Sequence, residues 1–196
     1  MTKIKFCGLR RVEDIFMANE LLPNFVGFIF AKKSFRYITP EKFIELKNLL
    51  DKKILAVGVF VNEEPEKILD VAENLDLIQL HGTENENYIS RLKNFTDKKI
   101  IKAFEIKNIS DLKNAAKSPA DYILLDGGKG EGKIFDWSLL KNFGREYFLA
   151  GGLNPENISD AIKILNPFAV DVSSGIETNK FKDAEKMRAF IKNVRG

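Results

Sequence analysis

Ala150-Gly151-Gly152-Leu153-Asn154-Pro155 is the first of two glycine segments late in the chain, and Asp171-Val172-Ser173-Ser174-Gly175 is the second. Each segment follows a short apolar run, and an amphipathic stretch with helical spacing comes after it. Glycine lets the backbone approach a ligand closely, and amides at a helix start offer donors beside the positive end of the helix dipole. An eightfold α/β barrel holds phosphate in this way, on the loops after its last two strands. The two segments therefore predict a barrel that binds a small phosphorylated metabolite.

Eight short apolar runs, which are rich in β-branched and aromatic residues, lie along the chain. They are nearly continuously apolar, as expected of parallel strands that are covered on both faces. Amphipathic patterns at helical spacing lie between them. The predicted strands are residues 4–7, 25–30, 54–61, 77–80, 99–104, 122–125, 147–150 and 168–172.

The repeated strand-helix pattern allows either an open doubly wound sheet or a closed barrel. Eight units of about 25 residues favour the closed (β/α)8, or TIM, barrel. No linker, low-complexity tract or charge block divides the chain, so residues 1–196 are predicted to form one domain. The sixth unit is the least helix-like, because residues 127–133 hold four glycines in seven positions. We interpret it as a mobile loop with a short helix beginning near Asp136-Trp137.

Two helix starts are marked in the sequence by a proline. Thr39-Pro40-Glu41 and Asn154-Pro155-Glu156 each place a capping side chain before a proline, with an acidic residue in the first turn. Proline suits the first helical position, and acidic residues favour the positive end of the helix dipole. Helices are therefore predicted to begin at Pro40 and Pro155.

Composition and charge exclude several classes of function. Thirty-one basic against 28 acidic residues give a net charge of +3, and the lysines are scattered, so nucleic acid is not an expected partner. One cysteine and one histidine exclude an intrachain disulfide and a Cys/His metal cluster. No signal-peptide run is present, and no stretch approaches the roughly 18 apolar residues of a membrane span. We expect a cytoplasmic protein without a metal, a cofactor or a membrane partner.

Several polar side chains stand at the predicted carboxyl ends of the strands, where a barrel carries its active site. The thiol of Cys7 and the carboxyl of Asp126 could act as a general base and a general acid, provided that their pKa values are pushed toward neutrality. That pairing suits an isomerase without a cofactor. Alongside these two, the candidates are Arg36, Asn62, His81 and the two glycine segments.

Each candidate also has a structural interpretation. Cys7 would be a small buried apolar residue, and Asp126 would be a turn-former before glycine. Arg36, between Phe35 and Tyr37, would stack on aromatic rings at the surface. The remaining alternatives are a loop hydrogen bond for His81, a cap on the following helix for Asn62, and hydroxyls that serve the backbone in Ser173-Ser174-Gly175.

Short, specific motifs are spread along nearly the whole chain, in the same order as in one known family. They include Lys5-Phe6-Cys7-Gly8-Leu9, Lys33-Ser34-Phe35-Arg36-Tyr37-Ile38, Gln79-Leu80-His81-Gly82, Leu124-Leu125-Asp126, Gly151-Gly152-Leu153-Asn154-Pro155-Glu156-Asn157 and Val170-Asp171-Val172-Ser173-Ser174-Gly175-Ile176-Glu177. In these motifs the chain resembles the phosphoribosylanthranilate isomerases, a family of tryptophan biosynthesis.

The resemblance implies an Amadori rearrangement of N-(5-phosphoribosyl)anthranilate to 1-(2-carboxyphenylamino)-1-deoxyribulose 5-phosphate, without a cofactor. Cys7 matches the family's general base and Asp126 its general acid. Asp126 would protonate the ribose ring oxygen and open the furanose to a Schiff base. Cys7, as thiolate, would then take the C2′ proton to give an enolamine that tautomerises to the ketone.

The resemblance also implies how substrate is bound. Arg36 matches the residue that holds the anthranilate side, and His81 and Asp171 match further active-site positions. Closure of residues 127–133 over the substrate would exclude water and raise the pKa of Asp126. The backbone amides implied to bind phosphate are those around Gly151, Gly152, Ser173, Ser174 and Gly175.

Three other functions compete with this one. Relatives that isomerise the histidine-pathway aminoaldose use two carboxylates, one of them after the first strand, where this chain has Cys7. A metal-dependent pentose-phosphate epimerase needs His and Asp ligands on several strands, which one histidine cannot supply. A barrel that only binds a phosphorylated ligand would not need both Cys7 and Asp126.

Overall fold

The computed structural model describes residues 1–127 and 137–196. Eight parallel strands close into a barrel in chain order, and the last strand pairs back with the first. They are β1 (Lys3–Cys7), β2 (Phe25–Ile29), β3 (Leu55–Phe60), β4 (Leu77–Leu80), β5 (Lys99–Glu105), β6 (Tyr122–Asp126), β7 (Tyr147–Ala150) and β8 (Ala169–Val172). The closed barrel confirms the predicted fold class, and every predicted strand agrees with the observed bounds to within one residue at either end.

Helices cover the outside of the barrel. They are α1 (Val12–Leu21), α2 (Pro40–Leu49), α3 (Pro65–Ala72), α4 (Glu86–Lys93), α5 (Ile109–Lys117), α6 (Ile158–Leu165) and α7 (Ala184–Arg195). In the sixth unit, Trp137–Leu140 form a 3₁₀ helix, while the predicted glycine loop beyond Gly127 and the predicted helix start at Asp136 lie outside the described residues. Among the helices of the described residues, none is both long and apolar enough to cross a bilayer.

Side chains alternate between the two faces of each strand, as the pleat requires. Ile4 and Phe6 of β1 pack outward in the larger hydrophobic core, which also contains the buried faces of the helices. A second, smaller cluster belongs to the barrel strands and consists of Phe25, Val57, Leu77, Ile101, Ala103, Leu124, Phe148, Ala150 and Ala169. Apolar packing of both faces therefore explains why the strand sequences are nearly continuously apolar.

The helix start predicted at Pro40 is confirmed. Helix α2 begins at Pro40, and the Oγ1 atom of Thr39 accepts a hydrogen bond from the amide of Lys42 at 3.3 Å. Proline has no amide hydrogen, so it leaves no unpaired donor in the first turn of this helix.

The helix start predicted at Pro155 is wrong, because α6 begins at Ile158. The Oδ1 atom of Asn154 accepts hydrogen bonds from the amides of Glu156 and Asn157, both at 3.0 Å. The side chain of Asn157 turns back, accepting from the amide of Asn154 and donating to the carbonyl of Gly152, again at 3.0 Å. This reciprocal pair of asparagines stabilises a turn that separates the glycine segment from the helix.

Asn62 does not cap the helix that follows it, so that structural alternative is wrong. The cap position of α3 is Glu64, and Asn62 adopts a left-handed backbone conformation with a φ of 50°. Its Oδ1 atom accepts hydrogen bonds from the amide and the hydroxyl of Thr83 at 2.7 and 3.1 Å. Asn62 therefore connects the loop after β3 to the loop after β4.

A buried ion pair joins the carboxyl ends of β3, β4 and β5. The Nζ atom of Lys102 lies 2.9 Å from Oε2 of Glu84 and donates to the carbonyl of Gly82 at 2.6 Å. The carboxylate of Glu84 also accepts from the amides of Asn62 and Gly82, at 2.7 and 2.9 Å. Burial by itself would raise the pKa of Glu84, but Lys102 and the backbone donors hold it below its ordinary value.

We expect Glu84→Gln to lower the free energy of unfolding by about 3 kcal/mol at neutral pH, because the buried ammonium of Lys102 loses its charged partner. The folded-state pKa of Glu84 lies below its ordinary value, so the carboxylate stabilises the fold above that ordinary value. This contribution is lost as the pH falls through the folded-state pKa. Urea denaturation of parent and variant should therefore show a difference that shrinks in acid.

The matched control is Glu73→Gln, which removes the charge of an exposed carboxylate at the end of α3. It should change the free energy of unfolding by less than about 0.5 kcal/mol. Equal losses in the two variants would contradict a structural role for the buried pair.

Candidate active site

The predicted site residues meet in one cavity of about 420 Å³ at the carboxyl ends of the strands. Cys7 from β1 and Asp126 from β6 both line it, together with Arg36, His81 and Asp171. The turn residues Gly151, Gly152, Ser173 and Ser174 line it as well. Among the residues proposed to act on or bind substrate, Gly175 lies outside the cavity lining, and so does the further candidate Asn62.

The thiol of Cys7 is buried at the end of β1, against a glycine on β2. A Cβ atom at Gly27 would stand 2.7 Å from Sγ of Cys7 and 3.1 Å from Nζ of Lys5. Glycine at this position therefore leaves room for both groups. Burial raises the pKa of the Cys7 thiol, and Lys5 opposes that rise without cancelling it.

Lys5 is fully buried on β1, where its Nζ atom lies 2.9 Å from Oδ1 of Asp171 on β8. Burial by itself would lower the pKa of Lys5, but the charges of Asp171 and Cys7 raise it above its ordinary value. Sequence reasoning assigned Lys5 no role. The signal was present, since Lys5 stands two residues before Cys7 in a predicted strand and so points to the same face.

Arg36 is held from two sides in the loop after β2. Its Nε and Nη2 atoms donate to the two carboxylate oxygens of Glu177 at 2.8 and 2.7 Å. Its guanidinium also lies 4.1 Å from the ring centroid of Phe35, so the predicted aromatic stacking is present. This stacking does not remove Arg36 from the site, because the side chain still lines the cavity.

Glu177 also pairs with a second cation. It begins the two-residue strand β9 (Glu177–Thr178), which pairs with β10 (Phe181–Lys182). The Nζ atom of Lys182 donates to Oε1 of Glu177 at 2.8 Å and to the carbonyl of Ser173 at 2.9 Å. Burial by itself would raise the pKa of Glu177, but Arg36 and Lys182 hold it below its ordinary value. Sequence reasoning missed both partners, since their roles depend on the hairpin after β8.

His81 lies between an amide and a carboxylate. The Nε2 atom of Gln79 lies 2.9 Å from Nδ1 of His81, and Nε2 of His81 lies 3.5 Å from Oδ2 of Asp126. When Nδ1 accepts from the amide, the ring proton sits on Nε2 and faces the carboxylate. Gln79 is fully buried on β4, and His81 follows the end of that strand, so the amide of Gln79 fixes the orientation of the imidazole.

The two glycine turns touch each other behind the cavity. Gly151 and Gly152 have φ values of 97° and 65°, a conformation that favours glycine. A Cβ atom at Gly175 would lie 1.9 Å from the carbonyl oxygen of Leu153. The hydroxyl of Ser173 donates to the carbonyl of Cys7 at 3.0 Å, so this serine also serves the backbone, as its structural alternative predicts.

Across residues 1–127 and 137–196, no cluster of three or more His, Cys, Asp or Glu side chains could hold a metal ion. The cavity instead combines a thiol, a carboxyl, an imidazole and a held guanidinium with two glycine turns. Such a set can bind an anionic substrate and move protons on it.

Comparison with known proteins identifies relatives over the whole chain. The model of a family described as N-(5'-phosphoribosyl)anthranilate (PRA) isomerase matches residues 4–193. The chain is 49% identical to the N-(5'-phosphoribosyl)anthranilate isomerase of Thermoanaerobacter sp. (strain X514) over 205 aligned positions, covering 100% of this chain and 99% of that protein. Its fold is similar to the crystal structure of phosphoribosyl anthranilate isomerase from Thermotoga maritima, with a TM-score of 0.90. The two sequences are 42% identical, and 100% of both chains is covered.

A second similar structure contains a bound ligand. It is a phosphoribosyl anthranilate isomerase in complex with reduced 1-(o-carboxyphenylamino)-1-deoxyribulose 5-phosphate. This chain is 42% identical to it, with a TM-score of 0.90 and 100% of both chains covered.

We expect Gly175→Ala to lower the free energy of unfolding by about 1–3 kcal/mol, because the new methyl group would meet the Leu153 carbonyl oxygen, which is backbone and cannot swing away. The matched control is Gly144→Ala, where the methyl group would meet nothing within 4 Å. Replacing that glycine should change the free energy of unfolding by less than about 1 kcal/mol. The expected change is a small increase, because alanine lowers the conformational entropy of the unfolded chain. Urea denaturation measures both, and equal stability of the two variants would contradict contact between the turns.

Proposed function

The chain belongs to the N-(5'-phosphoribosyl)anthranilate isomerase family, and from that premise we propose that it isomerises this substrate with Cys7 as general base and Asp126 as general acid. The observation that carries the proposal is that this thiol and this carboxyl line one cavity, from β1 and β6. The two strands stand three positions apart around the barrel, so the groups face a bound sugar from different sides. The reaction belongs to tryptophan biosynthesis.

The organisation of the protein follows from the same premise. Pairing of β1 with β8 joins the first and the last strand of the barrel in one sheet, which supports residues 1–196 acting as a single domain. The partner is a small phosphorylated molecule, and nucleic acid and membrane have no part in the reaction. We place the enzyme in the cytoplasm, the compartment in which a biosynthetic enzyme meets its phosphorylated substrate.

The first step opens the sugar ring. Asp126 donates a proton to the ribose ring oxygen, the bond from that oxygen to C1′ breaks, and the anthranilate nitrogen supplies electrons to form a Schiff base. His81 faces the same carboxylate and is held in place by Gln79. This role requires a protonated Asp126 at neutral pH, although a free aspartate is ionised there. We expect the loop after Gly127, which lies outside the described residues, to supply the desolvation.

The second step moves a proton from carbon. The Cys7 thiolate removes the proton from C2′, and the electron pair of that bond neutralises the Schiff base to give an enolamine. Addition of a proton at C1′ and loss of the proton from the C2′ hydroxyl then yield the ketone. The atoms of the substrate are all retained in the product, so no oxidant, reductant or cofactor is needed.

The ends of the substrate have separate binding groups. The Arg36 guanidinium, held by Glu177 and Phe35, pairs with the anthranilate carboxylate. Asp171 lies in the cavity beside Cys7 and is available to a sugar hydroxyl. The phosphate lies against the backbone amides of the two turns, at Gly151, Gly152, Ser173, Ser174 and Gly175. The ligand named in the similar complex carries both an aromatic carboxylate and a phosphate, which supports two such sites.

Incubating purified protein with freshly prepared phosphoribosylanthranilate, and following the loss of its fluorescence, tests the function directly. We expect turnover by the parent protein. Cys7→Ser and Asp126→Asn should keep the fold and bind a product analogue, while turnover falls by about 10²-fold or more, because neither variant can move its proton. Thermal unfolding and analogue affinity are measured on the same preparations.

The outcomes separate the competing interpretations. Analogue binding without turnover in the parent would indicate a barrel that only binds its ligand. Near-normal turnover in Cys7→Ser would remove the thiol from the mechanism. Reduced stability of Asp126→Asn with full turnover per folded molecule would reduce Asp126 to a turn residue.

Arg36→Met should mainly raise the Michaelis constant, since an arginine–carboxylate contact exists in both the ground state and the transition state. Methionine keeps much of the apolar stem and removes the guanidinium. The matched control is Lys33→Met in the same loop, where the lysine is exposed. Steady-state kinetics should leave this control near the parent. A fall in turnover at an unchanged Michaelis constant would contradict the binding role of Arg36.

A further inference from the structure

The proposed base lies in an unfavourable place for a negative charge. The Cys7 thiol is buried, and burial disfavours the thiolate that proton removal from carbon requires. Asp171, which faces the same space from β8, adds a like charge that opposes ionisation further. A thiol in such a place needs a cation that offsets both effects.

Among the described residues, two buried ammonium groups lie near this thiol, those of Lys5 and Lys182. Lys182 approaches from the hairpin after β8, but its Nζ atom is engaged by the Glu177 carboxylate at 2.8 Å and by the Ser173 carbonyl at 2.9 Å. Burial also lowers the pKa of Lys182 despite Glu177. Arg36, the other cation nearby, has two of its nitrogens on Glu177. Lys182 and Arg36 therefore interact mainly with the carboxylate of Glu177.

Lys5 is differently placed. Its side chain comes from the same strand face as Cys7, and both groups fill the space that a Cβ atom at Gly27 would occupy. One donor of its ammonium is used by Asp171 at 2.9 Å. An ammonium has three donors, so two remain beyond the one that Asp171 uses. A Cβ atom at Gly27 would stand 2.7 Å from the Cys7 Sγ and 3.1 Å from the Lys5 Nζ, so the thiol and the ammonium lie on either side of the same small space.

We propose that Lys5 is the positioning residue that stabilises the Cys7 thiolate, with Asp171 holding the ammonium in place and limiting its effect. The proposal rests on the role of Cys7 as the base. Lys5 does not touch the reacting carbon in this arrangement, so it acts through the thiol. Gly27 is part of the same arrangement, because any larger side chain would separate the Lys5 ammonium from the Cys7 thiol.

In the part of the chain that the structure describes, the remaining charged and titratable groups around the thiol do not supply this function. His81 and Asp126 line the same cavity and are paired with each other at 3.5 Å. Asp171 carries the wrong sign, and Lys182 and Arg36 are bound to Glu177. Lys5 is thus the cation whose removal should raise the pKa of the thiol most.

Titration of the thiol tests this directly, because Cys7 is the sole cysteine of the sequence and every thiolate signal belongs to it. Thiolate absorbance in the ultraviolet and the rate of iodoacetamide alkylation are followed against pH. For Lys5→Met we expect a pKa higher by about one unit or more, and hence alkylation about tenfold slower at neutral pH. The pH profile of kcat/KM should move to higher pH by the same amount.

Three further variants make the result specific. Lys5→Arg keeps a cation and should restore much of the parent thiol pKa. Lys3→Met removes a cation from the same face of β1 at the opposite end of the strand, and it should leave the titration unchanged. Because Lys5→Met leaves Asp171 buried without its partner, the comparison is repeated on Asp171→Asn, with and without Lys5→Met. The thiol pKa should rise on loss of Lys5 in this background too.

The outcomes distinguish this proposal from the one on which it rests. A thiol pKa that is unchanged on loss of Lys5, in both backgrounds, would overturn the positioning role, even if turnover fell through loss of stability. Full turnover by Cys7→Ser would overturn the base role, whatever the titration of Cys7 showed. A shifted thiol pKa, a shifted kcat/KM profile and rescue by Lys5→Arg together support the proposal.

Discussion

The ion pair between Lys5 and Asp171 lies where the barrel closes, between the first strand and the last. A lysine that is fully buried inside a barrel is costly unless its charge is matched, and Asp171 supplies the match at 2.9 Å. The register that brings these residues together also places Cys7 next to the turn after β8, where Ser173 donates to the Cys7 carbonyl. The strand pairing that closes the sheet therefore also brings residues of the cavity together.

Polar groups are concentrated at one end of this barrel. The pairs Lys5–Asp171, Lys102–Glu84 and Lys182–Glu177 are all largely buried near the carboxyl ends of the strands. Replacing buried pairs by apolar residues often stabilises a protein, so their presence is not explained by stability alone. Groups with fixed partners do, however, keep their positions when substrate arrives, and such preorganisation suits the acid–base isomerisation proposed above.

Local patterns were enough to predict the strands, the closed barrel and several polar residues that line the cavity, among them Cys7, Arg36 and Asp126, while Asp171 was assigned only through the family resemblance. The partners of those residues were not predictable, because Lys5 meets Asp171 across 166 positions and Arg36 meets Glu177 across 141. Which residues meet at that distance depends on strand register and on the hairpin after β8. The prediction at Pro155 failed for a local reason, since the asparagine pair at Asn154 and Asn157 stabilises a turn in place of a first helical turn.

The charge that matters to an anionic substrate is local. The sequence carries a net charge of only +3, spread over 196 residues, which by itself indicates little. At the cavity, however, Arg36 and Lys182 share the single carboxylate of Glu177, so this cluster keeps an excess positive charge. Glu177 occupies two of the guanidinium nitrogens, and the third is available for the proposed contact with a substrate carboxylate. Glu177 thus orients Arg36 without neutralising the site, because Lys182 offsets the charge that the carboxylate brings.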